Sequence, residues 1–101
     1  MTSKDKILDI AMNLNRIGNW AADDYQGKKK RINLFLDQTN DYINTLDTSK
    51  FSKKFSKTYS NFIKNYSELE KIGRQGPKNP LFWAEDMMTW GNILTHRAKL
   101  I

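Results

Sequence analysis

The sequence predicts an all-α protein, an up-and-down four-helix bundle, and three observations predict it. Apolar residues recur every three or four positions through nearly the whole chain, the spacing of one helix face. Nowhere do apolar and polar residues alternate as they do in a half-buried strand. Loop-forming residues gather in a single place, "GRQGPKNP", which holds two glycines and two prolines. A chain of 101 residues is one domain with one modest core, so residues 1–101 are read as a single unit.

The first helix, about residues 3–26, carries Ile7, Ile10, Ala11, Leu14, Ile17, Ala21 and Tyr25 on one face. Thr2 or Ser3 can cap its start, and Asp5 suits the positive end of the helix dipole. The second, about 28–46, repeats the pattern with Ile32, Phe35, Leu36, Thr39, Tyr42, Ile43 and Leu46. It stops at "LDTSK", where Asp47 to Ser49 offer a turn and a fresh cap. The third, about 50–72, presents Phe51, Phe55, Tyr59, Phe62, Tyr66, Leu69 and Ile72, then meets Gly73 and a loop over 73–79. Asn79 as cap and Pro80 as first helical residue open the last helix, about 80–100, with Ala84, Met87, Met88, Gly91, Leu94 and Ala98 inward.

The stretch "WAADDYQGKKKRINLF" decides between two architectures. A left-handed cap at Gly27 would end the first helix and close a bundle within one chain, and this is the expected arrangement. The alternative is a long first helix running through Gly27, with the bundle completed by dimerisation. In its favour, the apolar stripe stays in phase across Gly27. Asp23 and Asp24 would also oppose the dipole at a helix C-terminus, as Lys28 to Arg31 would at an N-terminus. In a continuous helix Asp24 and Lys28 form a favourable i,i+4 pair.

Composition excludes several classes. Hydrophobic content of 39% with 12% aromatic residues excludes a disordered chain, and 28% charged residues exclude a membrane-buried one. No apolar run approaches the ~20 residues of a membrane span. Asp5 and Asp9 interrupt the apolar core that a signal peptide needs, so a cytoplasmic setting is expected. There is no cysteine, hence no disulfide and no thiolate chemistry. The one histidine, His96, has no nucleophile or orienting acid in its vicinity of sequence. The pairs Asp23/Asp24 and Glu85/Asp86 are adjacent, which points their carboxylates ~100° apart on a helix. No enzyme, metal site or cofactor is expected.

The surfaces are more informative. The net charge of +6 is carried by residues 48–78, where Lys50, Lys53, Lys54, Lys57, Lys64 and Lys71 oppose the phenylalanine face of the third helix. This stripe could attract RNA or an anionic surface, although the aromatic residues of that helix point the other way. Trp20 and Leu34 fall off the apolar faces of their helices, and Phe82, Ile93 and Leu100 form a second stripe on the last one. Apolar residues on two faces of a helix, with a tryptophan among them, mark a protein interface. The segments "LNRIGNWAADDY" and "FWAEDMMTWGNILTHRAKL" resemble small helical proteins of unknown function from cyanobacteria. The resemblance implies a cytoplasmic setting and carries no activity. The expected function is a non-enzymatic protein-protein interaction module that self-associates or binds a protein partner. The alternative is a weak RNA or anionic-surface binder acting through the lysine stripe.

Overall fold

A computed structural model describes all residues, Met1–Ile101, and it is all-helical. Three α-helices, α1 (Ser3–Asn44), α2 (Lys53–Gln75) and α3 (Pro80–Arg97), are joined by short connections. Two 3-10 turns, Thr48–Lys50 and Ala98–Leu100, sit ahead of α2 and after α3. No helix is long and apolar enough to cross a membrane.

Local chemistry sets the helix ends. Thr2 and Asp5 form a reciprocal capping box, each side chain bonding the other's backbone N–H. Asp47 caps the first 3-10 turn through the Ser49 N–H, so α2 starts at Lys53 instead of about residue 50. The Ser52 hydroxyl accepts from the Phe55 N–H and donates to the Leu100 carbonyl at 2.7 Å, which ties the C-terminal turn to the start of α2. Asn79 and Pro80 open α3 as expected. Gly73 does not end α2, which runs on to Gln75 and stops at Gly76, the one glycine at positive φ. There only glycine turns without a Cβ penalty.

The region around Gly27 overturns the cap expected there and fits the alternative in part, since α1 is long and includes Gly27. Gly27 is helical and caps nothing, so a left-handed cap at this position is ruled out. Helix α1 nevertheless does not run straight. A straight helix of 42 residues would be about 63 Å long, whereas the longest dimension of the molecule is 38 Å. The break lies at Asp24, the one residue inside α1 with non-helical backbone angles. Its carboxylate accepts a hydrogen bond from the Gly27 N–H at 3.0 Å, the N-cap geometry, and so opens the segment that follows. The acid therefore stands at a helix N-terminus, where the dipole favours it. Lys28 pairs with Asp23 at 2.6 Å and not with Asp24.

The two arms of α1, residues 3–23 and 25–44, lie antiparallel. Lys6 bonds the Thr45 carbonyl, Asn13 bonds Gln38 and Thr39, and Trp20 meets Phe35 and Arg31. These pairings centre on one point of the sequence, beside Tyr25. Helix α3 packs chiefly on α1, and small residues make the approach close. A Cβ at Gly18 would strike Met88 and press on the Ala84 carbonyl at 3.0 Å. Ala84 and Gly91 on α3 and Ala98 at the start of the turn that follows it, seven residues apart, are all buried.

Helix α2 stands further from α1, held off by its aromatic face. Phe55, Tyr59, Phe62 and Tyr66 stack along it, each ring contacting the next. Its C-terminal half reaches α1 through long polar side chains. The Tyr25 hydroxyl donates to the Gly73 carbonyl, the Tyr66 hydroxyl donates to Asn40, and Arg74 bridges Asp37 and Glu70. Burial raises the pKa of Tyr66 above its ordinary value, so that phenol stays protonated as a donor. Eighteen buried residues form one continuous core along these contacts. The radius of gyration, 13.1 Å, is that of a compact domain of this length.

Gly73 lies where α2 and α3 pack closely. Its absent Cβ is replaced by the ring of Trp83, which is held in place by its own N–H bond to the Leu69 carbonyl at 2.8 Å. Gly73→Ala must displace that ring and should destabilise the protein by about 1–3 kcal/mol. At Gly91 an added Cβ meets only the end of the Asn15 side chain, at 2.8 Å, which can swing away. Chemical denaturation of the two alanine variants should therefore rank Gly73→Ala as clearly the worse. Equal midpoints would mean that the Trp83 ring is not locked.

Candidate functional site

The residues singled out in the sequence separate into three groups once folded. Trp20 is only partly open to the surface. It is half-buried, its ring meets Phe35 edge-to-face at 4.8 Å, and the Arg31 guanidinium lies over it at 5.2 Å. Trp20 thus closes the two arms of α1 against each other. Leu34 and Phe82 are the exposed pair, at 62% and 63%, and they lie on different helices. Phe82 shares the start of α3 with Leu81, also exposed.

Ile93 and Leu100 belong to the third group, which forms a groove of about 500 Å³ between α2 and α3. Antiparallel packing builds it. Trp83 bonds the Leu69 carbonyl at one end of the α2–α3 seam, Trp90 rests on Phe62 at 5.8 Å in the middle, and Arg97 donates to the Thr58 hydroxyl at the other end. Where the aromatic face of α2 meets α3, Trp90, Ile93 and Leu100 make an apolar floor. Lys54 and Lys57 from α2 and Arg97 from α3 stand around that floor, and no acidic residue lines it.

The groove joins two features that the sequence presented separately. Lys54 and Lys57 come from the lysine stripe, and Ile93 and Leu100 from the second apolar stripe of the last helix. The stripe itself is exposed at Lys50, Lys53, Lys64 and Lys71, which lie outside the groove. Lys53 and Lys54 occupy the first turn of α2, which contains no acid, so the helix dipole adds to their positive field. Arg74, the arginine of the same basic segment, is consumed by its pairs with Asp37 and Glu70.

Four groove residues, Thr58, Asn61, Trp90 and Arg97, were missed in the sequence. For Trp90 and Arg97 the signal was present, since they recur with Ile93 and Leu100 at helical spacing along one side of α3 and the turn that follows it. Chemically the groove offers apolar burial and cationic hydrogen-bond donors. It holds no nucleophile–base pair, and no three acidic or imidazole side chains anywhere in the chain group together as metal ligands would. His96 is exposed and is not among the groove residues. No family model matches the chain, and no curated protein or solved structure matches it either.

The contrast between Trp20 and Leu34 is testable directly. Trp20→Ala removes an aromatic pair and the cover over Phe35, and should cost about 1–3 kcal/mol. Leu34→Ala removes an exposed side chain and should stay within about 0.5 kcal/mol of wild type. Urea unfolding curves of both variants decide it. A Trp20→Ala variant as stable as Leu34→Ala would return Trp20 to the surface.

Proposed function

We propose that the protein is a non-enzymatic interaction module whose groove between α2 and α3 seats an acidic, amphipathic helix of a partner protein. The observation that carries this reading is the lining of the groove, a Trp90–Ile93–Leu100 floor beside Thr58 and Asn61, with Lys54, Lys57 and Arg97 as its charged residues and no acid among them. An amphipathic helix laid in such a groove buries its apolar face on the floor. Charge complementarity then selects acids for its flanks. The groove volume suits two or three large side chains, the usual number of anchors in helix-in-groove recognition. In this reading the four helical rods, counting the two arms of α1 separately, close as an up-and-down bundle within a single chain. The fold then needs no second copy, and the groove stays free for a partner.

Single-stranded RNA is the second reading, favoured by one feature. Trp90 and Lys57 line the same groove, an aromatic ring and a cation in one site as stacking recognition requires. Against it, the Trp90 ring is half-buried and already packs on Phe62, which leaves little face for a nucleobase.

Indole N–H resonances report the site, because Trp90 is the one tryptophan lining it. Titration with a glutamate-rich amphipathic peptide should shift the Trp90 signal and leave Trp20 and Trp83 nearly unmoved. A peptide of the same composition in scrambled order should bind at least about tenfold more weakly, since its apolar residues no longer share a face. Ile93→Glu should abolish the shift, and Lys54→Gln with Lys57→Gln should weaken binding and flatten its salt dependence. If the scrambled peptide binds equally well, or Ile93→Glu is without effect, the helix-in-groove reading is lost. A uridine oligomer that moves Trp90 more than the peptide does, with a steep salt dependence, would install the RNA reading instead.

A further inference from the structure

The hinge at Asp24 joins two arms whose sequence also suits one continuous helix. Ala11, Gly18, Tyr25, Ile32 and Thr39 are all buried, and Leu46, half-buried just past the end of α1, continues the spacing in the sequence. These six positions are spaced by seven residues without interruption, so the buried face keeps its phase straight through the break. A seven-residue repeat held over this length is the pattern of a continuous seam between supercoiled helices. A hairpin alone does not require it, because the faces of two separate arms can be set independently. The departure from helix geometry is confined to Asp24. Around it, four N–H groups at the start of the second arm lose their helical partners, and one of them, on Gly27, regains a partner in the Asp24 carboxylate.

We infer that α1 opens at Asp24 into a continuous helix, and that two copies of the chain exchange their first arms to form a domain-swapped dimer. Residues 3–23 of each copy then pack on the second arm and α3 of the other, with every contact of the closed chain re-formed between copies. The charge order fits this partner. Antiparallel α1 helices related by a two-fold axis near Tyr25 set Asp23 and Asp24 of one copy against the Lys28–Arg31 block of its partner. The same axis carries the Trp20–Arg31 and Asp23–Lys28 pairs, which are intramolecular in the closed form. This inference is independent of the groove, whose residues lie on α2, α3 and the C-terminal turn.

Gly27 holds the balance. A Cβ there would collide with the Asp24 carboxylate in its capping position, so only glycine leaves room for the cap as it stands. Alanine would evict the cap and also favour the helix. The chain has no cysteine, so dyes can be placed at Lys4→Cys and Asn44→Cys, both exposed positions near the ends of α1. In the closed chain these ends are adjacent, as the 2.9 Å bond from Lys6 to the Thr45 carbonyl shows. In the open helix they would stand about 60 Å apart.

The experiment measures mass by light scattering and intrachain energy transfer, with labelled protein diluted into a large excess of unlabelled protein before unfolding and refolding together. Gly27→Ala should raise the dimer association constant by about tenfold or more over wild type, and the dimer should lose intrachain transfer. Asp24→Ala, which removes the cap while leaving Gly27 in place, should do the same and serves if the first variant does not fold. A dimer that keeps high intrachain transfer would overturn the inference, because its arms are still closed on themselves. Variants that remain monomeric with transfer intact at every concentration would overturn it equally.

Discussion

The hydrogen bond from the Gly27 N–H to the Asp24 carboxylate is the small interaction on which the rest of the fold depends. A single cap is worth about 1 kcal/mol, far less than the core it organises. Its leverage is geometric. By ending one helix and starting the next without an intervening loop, Asp24 turns a rod of about 63 Å into a hairpin. The first arm is thereby laid against the second arm and against α3. Without the reversal, Ile7, Ile10, Leu14 and Ile17 would have no apolar partner in their own chain, and each is now fully buried.

Two kinds of packing complete the molecule, and they differ in what they leave at the surface. Between α1 and α3 the contact is close, because Gly18, Ala84 and Gly91 remove the side chains that would hold the backbones apart. Between α2 and its neighbours large aromatic rings fill a wider gap, and polar side chains such as Arg74 and Tyr66 bridge it on the α1 side. On the α3 side the wide spacing is bridged less completely. There Trp90 rests on Phe62, the Arg97 guanidinium reaches Thr58, and the remaining space is the groove. The groove follows from packing bulky residues of α2 against α3 and the turn after it.

How much of this was legible depended on whether the information was local. The Asn79–Pro80 start of α3 involves neighbouring residues and read correctly, while at the start of α1 Thr2 was one of two candidate caps and its reciprocal bond with Asp5 was not read. The apolar stripe of the first arm also read correctly, because burial of one helix face imposes its own period. Asp24 did not, because glycine three residues later is the stronger punctuation mark and drew the cap to itself. An acid at an N-cap and an acid before a C-cap look alike in sequence, and only the direction of the chain beyond distinguishes them. Trp20 was misplaced for a related reason. Its partner Phe35 lies on the other side of a reversal whose register the sequence did not specify. The groove needed the crossing of α2 and α3, although its α3 half was visible as a helical stripe.

The fold depends above all on the chain closing on itself at Asp24. Small-angle scattering on dilute protein, with mass determined on the same sample, tests it most directly. The closed chain predicts a one-chain mass and a radius of gyration close to the 13.1 Å of the backbone, allowing for a hydration shell. Its longest dimension should be near 40 Å, in keeping with the 38 Å of the structure. A one-chain particle about 60 Å or more in length would contradict it, and so would a dimer of that length that survives dilution.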